Sequence, residues 1–229
     1  MLEVSLERGR KRLAPVGGIA AHALDEQQRL TRAAALDMQL GSRDGTLGMA
    51  DTLSTERMPL FMTGTIDVLD KGRLLAFSFE DMLKYHGPGS PGGVAQAFKI
   101  LERATPLISP DGPPERREIH VRTSFGGPGA RDAFELVTRA VTGERYVIDP
   151  SLARPERGRA MERFVFELTY GEHSVTLLVR EGMVPEEFID LARKEGKTDA
   201  EKARLEQLKL EMVDRLMGLP AEEVYDIAS

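Results

Sequence analysis

Residues 81–93 read Asp81-Met-Leu-Lys-Tyr-His-Gly-Pro-Gly-Ser-Pro-Gly-Gly93, and the chain is organised around them. Just upstream, Ser78-Phe-Glu-Asp81 has the Ser-x-x-acid spacing that caps a helix start. Phe79, Met82 and Leu83 give that short helix one apolar face, and it is expected to end at His86-Gly87. A loop with four glycines and two prolines follows. Beyond it, Val94, Ala97, Phe98 and Leu101 recur at helical spacing, which predicts a second helix from Val94 to Arg103. Glycines admit close approach of backbone or ligand, and the amides of the second helix point back toward the loop. Pro106, Pro110, Pro113 and Pro114 then predict a loop.

Further downstream, Glu118-Ile-His-Val-Arg-Thr-Ser-Phe125 alternates as a half-buried strand does. Ile119, Val121 and Thr123 face one way; His120, Arg122 and Ser124 face the other. A second glycine loop, Gly126-Gly-Pro-Gly129, opens a helix from Ala130 to about Val141. Arg145 to Asp149, Arg163 to Tyr170 and Ser174 to Arg180 read as three more strands, the last two joined by a tight turn at Gly171-Glu172. Upstream of the helices, Phe61, Ile66, Val68 and Leu69 read as an extended lead-in closed by Asp70-Lys71-Gly72. The core order is therefore helix, strand, helix, three strands. Strands gathered at the end with helices on one side predict a two-layer α+β fold, not a doubly wound sheet.

Three regions follow from these patterns. Residues 1–57 read as an N-terminal arm, poorly structured or partly helical, because large apolar side chains are scarce there. A second reading starts translation at Met49, Met58 or Met62 and leaves the upstream residues outside the native protein. Basic residues before Leu13 to Leu24 faintly resemble a signal peptide, but Pro15, Gly17 and Gly18 break the apolar run. Residues 58–182 form the α+β domain, and 183–229 a helical tail. There Pro185-Glu186-Glu187 starts one helix, and Thr198 with Glu201 caps another that runs to Met217. Leu205, Leu208, Met212 and Leu216 form a stripe that packs on its own sheet more often than on a second copy of the chain. A homodimer is expected with a small-molecule-binding role.

Composition narrows the chemistry. The 229 residues carry 41% hydrophobic and 30% charged side chains, as soluble globular proteins do. A net charge of −6 gives no reason to expect nucleic-acid binding. No apolar run suits a bilayer, so no membrane partner is expected. The absence of cysteine excludes disulfides, thiolate metal sites, iron–sulfur clusters and thiol catalysis, and fits a cytoplasmic protein. Neither glycine loop has the spacing of a dinucleotide or Walker motif. Both remain suited to an anion or a flat small molecule, with Arg122 and Arg131 as charge complement.

The stretch Asp81 to Gly92 resembles the FmdE-like family of formylmethanofuran dehydrogenase proteins, whose motif reads Asp-Leu-x-Lys-Phe-His-Gly-His-x-Cys-Pro-Gly before a helix. Asp81, Lys84, Tyr85, His86, Gly87, Pro91 and Gly92 match it without a gap, Tyr85 standing for the aromatic. Asp132-Ala133, Thr138 and Gly143 fall in register with a second, weaker family stretch. The resemblance covers roughly Phe79 to Arg180 and implies the same element order. It also implies a divalent-metal site of His and Cys groups. Here the second motif histidine is Pro88 and the motif cysteine is Ser90. Gly129, Ala140 and Val141 stand at the further family positions, and a cysteine-free helical tail replaces the zinc ribbon of many members.

The site residues expected from these readings are Tyr85, His86, Gly87, Ser90, Gly92, Gly127, Gly129 and Asp132, binding a small molecule between the two glycine loops. His86 is the candidate acid–base group, with Asp132 or Ser90 as partner; its structural alternative is to cap the preceding helix. The structural alternative for Asp132 is to answer the positive end of its own helix. Zinc would need His86 with Asp132 and His120. No cofactor is otherwise expected. The leading expectation is an FmdE-like binding or accessory protein with a degenerate metal site; the alternative is an enzyme or metal-binding protein using His86.

Overall fold

The computed structural model describes residues 64–228. The arm at 1–57 and the start of the extended lead-in, with Phe61, lie outside the described residues. The fold is α+β. A five-stranded sheet has the order β4-β3-β5-β6-β7, formed by His120–Thr123 (β3), Tyr146–Ile148 (β4), Val165–Tyr170 (β5), His173–Val179 (β6) and Tyr225–Ile227 (β7). The β3–β4 pair is parallel and the other pairs are antiparallel. Helices α1 (Phe79–His86), α2 (Pro91–Ile108) and α3 (Pro128–Thr138) precede the later strands, and α4 (Glu186–Arg193), α5 (Asp199–Met217) and α6 (Ala221–Val224) make the tail. A separate hairpin pairs β1 (Thr65–Asp70) with β2 (Arg73–Ser78).

The core is built around α2. Val94, Ala95, Ala97, Phe98, Ile100, Leu101, Ala104 and Ile108 are all buried, so the helix is enclosed over its first turns, with Gln96 and Lys99 buried beside them, and is one-sided near its end, where Pro106 and Leu107 are exposed. It packs on α3 and α5 and on strands β5 and β6. From the sheet, Val121, Phe166, Leu168, Val175, Leu177, Val179 and Tyr225 point into the same core. The alternate residues, among them His120, Arg122, Glu167 and Thr169, lie on the opposite, less buried face. One covered face and one wet face are the usual outcome for a mainly antiparallel sheet.

The structure departs from the sequence reading at three places. Helix α2 is longer than Val94 to Arg103: Pro91 is tolerated in the first turn, where no amide is needed. Pro106 does not end the helix, because buried Ile108 holds the last turn against the core. Second, the extended lead-in folds back on itself. Lys71 and Gly72, both at positive φ, form the turn, and Arg73–Ser78 becomes its partner strand. The Glu115 carboxylate accepts from both turn amides, at 3.0 and 2.6 Å. Third, the tail supplies strand β7. Its Tyr225 is fully buried and its hydroxyl donates to Gln96 Oε1 on α2.

The stripe on α5 is accounted for inside the domain. Leu208, Met212 and Leu216 are buried, and α5 packs on α2. No helix among the described residues is long and apolar enough to cross a membrane.

Candidate functional site

The capping box expected at Ser78 is present: the Asp81 amide donates to Ser78 Oγ, and Asp81 Oδ2 accepts from the Ser78 amide at 3.0 Å. This start sets the phase of α1 and makes His86 its last residue. Gly87, at φ 82°, closes the helix with its amide on the Leu83 carbonyl at 2.7 Å. That φ is one which L side chains rarely adopt. The turn leaves the His86 ring facing α3.

There it meets Asp132. His86 Nδ1 lies 2.8 Å from Asp132 Oδ2; the imidazole is only 8% exposed and the carboxylate 32%. An ionised carboxylate only accepts, so the proton of this bond sits on Nδ1; Nε2 offers a lone pair in the neutral ring and an N–H in the charged one. Arg131 Nη1 stands 3.5 Å from the other oxygen, Asp132 Oδ1. Nε2 is buried and has no hydrogen-bond partner among the described residues. A Cβ added at Gly89 would stand 3.9 Å from Nε2. The second ring nitrogen therefore faces the glycine loop.

The two glycine loops do meet, and their meeting is backbone against backbone. A Cβ on Gly93 would lie 3.1 Å from the Ala130 amide nitrogen; one on Gly129 would overlap the Ser90 carbonyl oxygen. One on Gly92 would strike the Met212 methyl at 2.9 Å. These three glycines let α2 approach α3 and α5 closely. A Cβ on Gly127 would overlap the Phe125 ring. Ser90 precedes α2 without a side-chain capping bond, and Tyr85 is 49% exposed on α1. His86 and Asp132 are thus the pair that the fold brings into direct polar contact.

Other expected groups go elsewhere. His120 is exposed on the far face of the sheet, so the set His86–His120–Asp132 does not assemble. It lines an open cavity of about 610 Å³ with Arg117, Arg122, Arg145 and Glu167. Arg122 lies there too, away from the glycine loops it was expected to complement. It donates to Asp149 Oδ2 at 2.6 Å and reaches Glu167 at 3.4 Å. Hydrogen bonds from Ser151 and then Arg122 hold the Asp149 carboxyl down to about 2. Of the two arginines, Arg131 alone stays beside the pair.

The residues do not fit a metal centre. Asp132 occupies the Nδ1 side of the ring, the position of a supporting carboxylate rather than of a second ligand to an ion on Nε2. A structural or catalytic zinc needs three or four protein donors. Among the described residues no cluster of three His, Cys, Asp or Glu side chains has that geometry.

One contact had no sequence signal. Lys209, on α5, donates from Nζ to the Gly89 carbonyl at 2.9 Å and to Glu206 Oε1 at 2.7 Å. It is separated from Gly89 by 120 positions, and in the sequence it is one lysine on a polar helix face. Comparison with family models, with curated proteins and with solved structures finds no match for this chain.

Proposed function

We propose that the chain is an FmdE-like small-molecule-binding or accessory protein whose ligand is held at His86 Nε2. One observation carries the reading: a buried imidazole fixed through Nδ1 by Asp132 at 2.8 Å, with its other nitrogen unpartnered and facing the Gly87–Ser90 loop. A buried polar nitrogen without a partner costs about 1–3 kcal/mol, which a hydrogen-bonding group on a ligand recovers. The ligand is therefore a molecule with a polar, hydrogen-bonding group to set against this nitrogen. The match of Asp81, Lys84, Tyr85, His86, Gly87, Pro91 and Gly92 to the family motif, with its cysteine and second histidine replaced, supports a binding role without a metal. A cytoplasmic location is part of the same reading; the α5 stripe that suggested a homodimer is buried within the domain.

Mass spectrometry of small molecules that co-purify with untagged protein, followed by titration calorimetry with each, tests it. The expected result is one organic ligand per chain, lost in His86→Ala. Stoichiometric, tightly held zinc, nickel or iron overturns it.

The His86–Asp132 contact also favours a second reading, general acid–base catalysis. A carboxylate on Nδ1 orients the ring and stabilises the imidazolium formed when Nε2 takes a proton. Turnover of the co-purifying compound that is lost in both His86→Gln and Asp132→Asn distinguishes this from binding alone.

A further inference from the structure

The loop over His86 is held at its two ends and in its middle. At one end the Gly87 amide donates to Leu83 O at 2.7 Å. At the other the Ser90 carbonyl accepts from Gly93 and Val94 at 3.0 and 3.3 Å. Between these anchors, the hydrogen bond to the loop among the described residues is the one from Lys209 to Gly89 O. Gly89 is also the residue whose missing side chain faces Nε2. Lys209 is itself well placed to hold: its side chain is 19% exposed, it is braced by Glu206, and its helix is wedged against Gly92 through Met212.

We propose that Lys209 is a positioning residue that latches the Gly87–Ser90 loop over His86 Nε2, so that a ligand reaches this nitrogen when the Lys209–Gly89 bond opens. The closed loop leaves Nε2 without a partner, whereas opening lets water or ligand supply one. The latch opposes that tendency with a single charge-assisted hydrogen bond. The physical result is a site closed at rest whose opening is set by a helix far along the chain. This rests on His86 as the ligand-contacting group, but it makes a claim about access that needs no ligand to test.

The test is peptide-mapped acylation of imidazole by diethyl pyrocarbonate on the full chain. His120 and His173, both exposed, serve as internal references. In the unmodified protein His86 is expected to react much more slowly than either. Lys209→Met is expected to raise the His86 rate about tenfold, the effect of losing one hydrogen bond to a charged group, with the references unchanged. Lys209→Arg, which keeps a donor, restores the slow rate. Gly89→Ala, whose methyl meets Nε2 and no other group within 4 Å, slows His86 further. Fast His86 acylation in the unmodified protein overturns the proposal. So does an unchanged His86 rate in Lys209→Met, or a rise at all three histidines together. Failure to find any ligand, with these rates as expected, removes the binding reading and leaves the latch.

Discussion

The backbone of Gly129 lies so close to Ser90 that a methyl group on the glycine would overlap the serine carbonyl oxygen. The first turn of α3 therefore rests directly on the start of α2, and this contact places Asp132 beside His86. Gly129→Ala is expected to destabilise the fold by about 1–3 kcal/mol, the usual cost of overpacking a rigid contact. Urea denaturation measures it. Gly126→Ala, where no atom lies within 4 Å of the added methyl, is the control.

Asp132 holds the Nδ1 proton of a ring that is mostly buried. Asp132→Ala removes the acceptor and leaves a buried donor, at a cost of about 1–3 kcal/mol. The Nδ1–H signal in the proton NMR spectrum should disappear at the same time. Persistence of that signal would show another acceptor on His86.

Glu135 closes the turn after α3. Its carboxylate accepts from the Val141 and Thr142 amides at 2.8 and 3.0 Å and from the Thr142 hydroxyl at 2.5 Å. Burial raises its pKa, but hydrogen bonds from Thr142, Val141 and Arg139 outweigh that and hold it below the usual value. A carboxyl depressed in the folded state contributes stability above its unfolded pKa and loses it as pH falls through the folded one. Stability should therefore decline below about pH 4.5, and the decline should be shallower in Glu135→Gln. Glu135→Ala, which strands two amides, should cost about 3 kcal/mol at neutral pH.

Tyr225 and Tyr146 are both pushed up by burial, Tyr225 well above the ordinary value and Tyr146 to about 12. A phenol whose pKa is raised by folding keeps its stabilising effect below the unfolded pKa near 10 and loses it as pH climbs through the folded value. Ultraviolet titration should show these two of the four tyrosines ionising late, Tyr225 only with alkaline unfolding. Tyr225→Phe removes the bond to Gln96 and leaves that amide oxygen buried without it. The expected loss is about 1–2 kcal/mol by thermal denaturation.

Much of the fold was legible because its signals are local. The capping boxes at Ser78 and Thr198, the alternation around Val121 and the turn at Gly171 each depend on residues within a few positions. The same alternation put His120 and Arg122 on the open side of the sheet, so the separation of His120 from His86 was implicit in the strand pattern. Helix α2 outran its expected end at Arg103, because a tertiary contact at Ile108 overrode the local preference of Pro106.

By itself the sequence determined the order of helices and strands between Phe79 and Arg180, the α+β class, the place of His86 at a helix end before a glycine loop, and the exclusion of thiolate chemistry. Tertiary structure alone decided which side chains meet. The His86–Asp132 bond spans 46 positions, Lys209–Gly89 spans 120 and Tyr225–Gln96 spans 129. Propensity and periodicity carry no information at such separations. These pairs exist because Gly92, Gly93 and Gly129 remove the bulk that would otherwise hold α2 apart from its neighbouring helices.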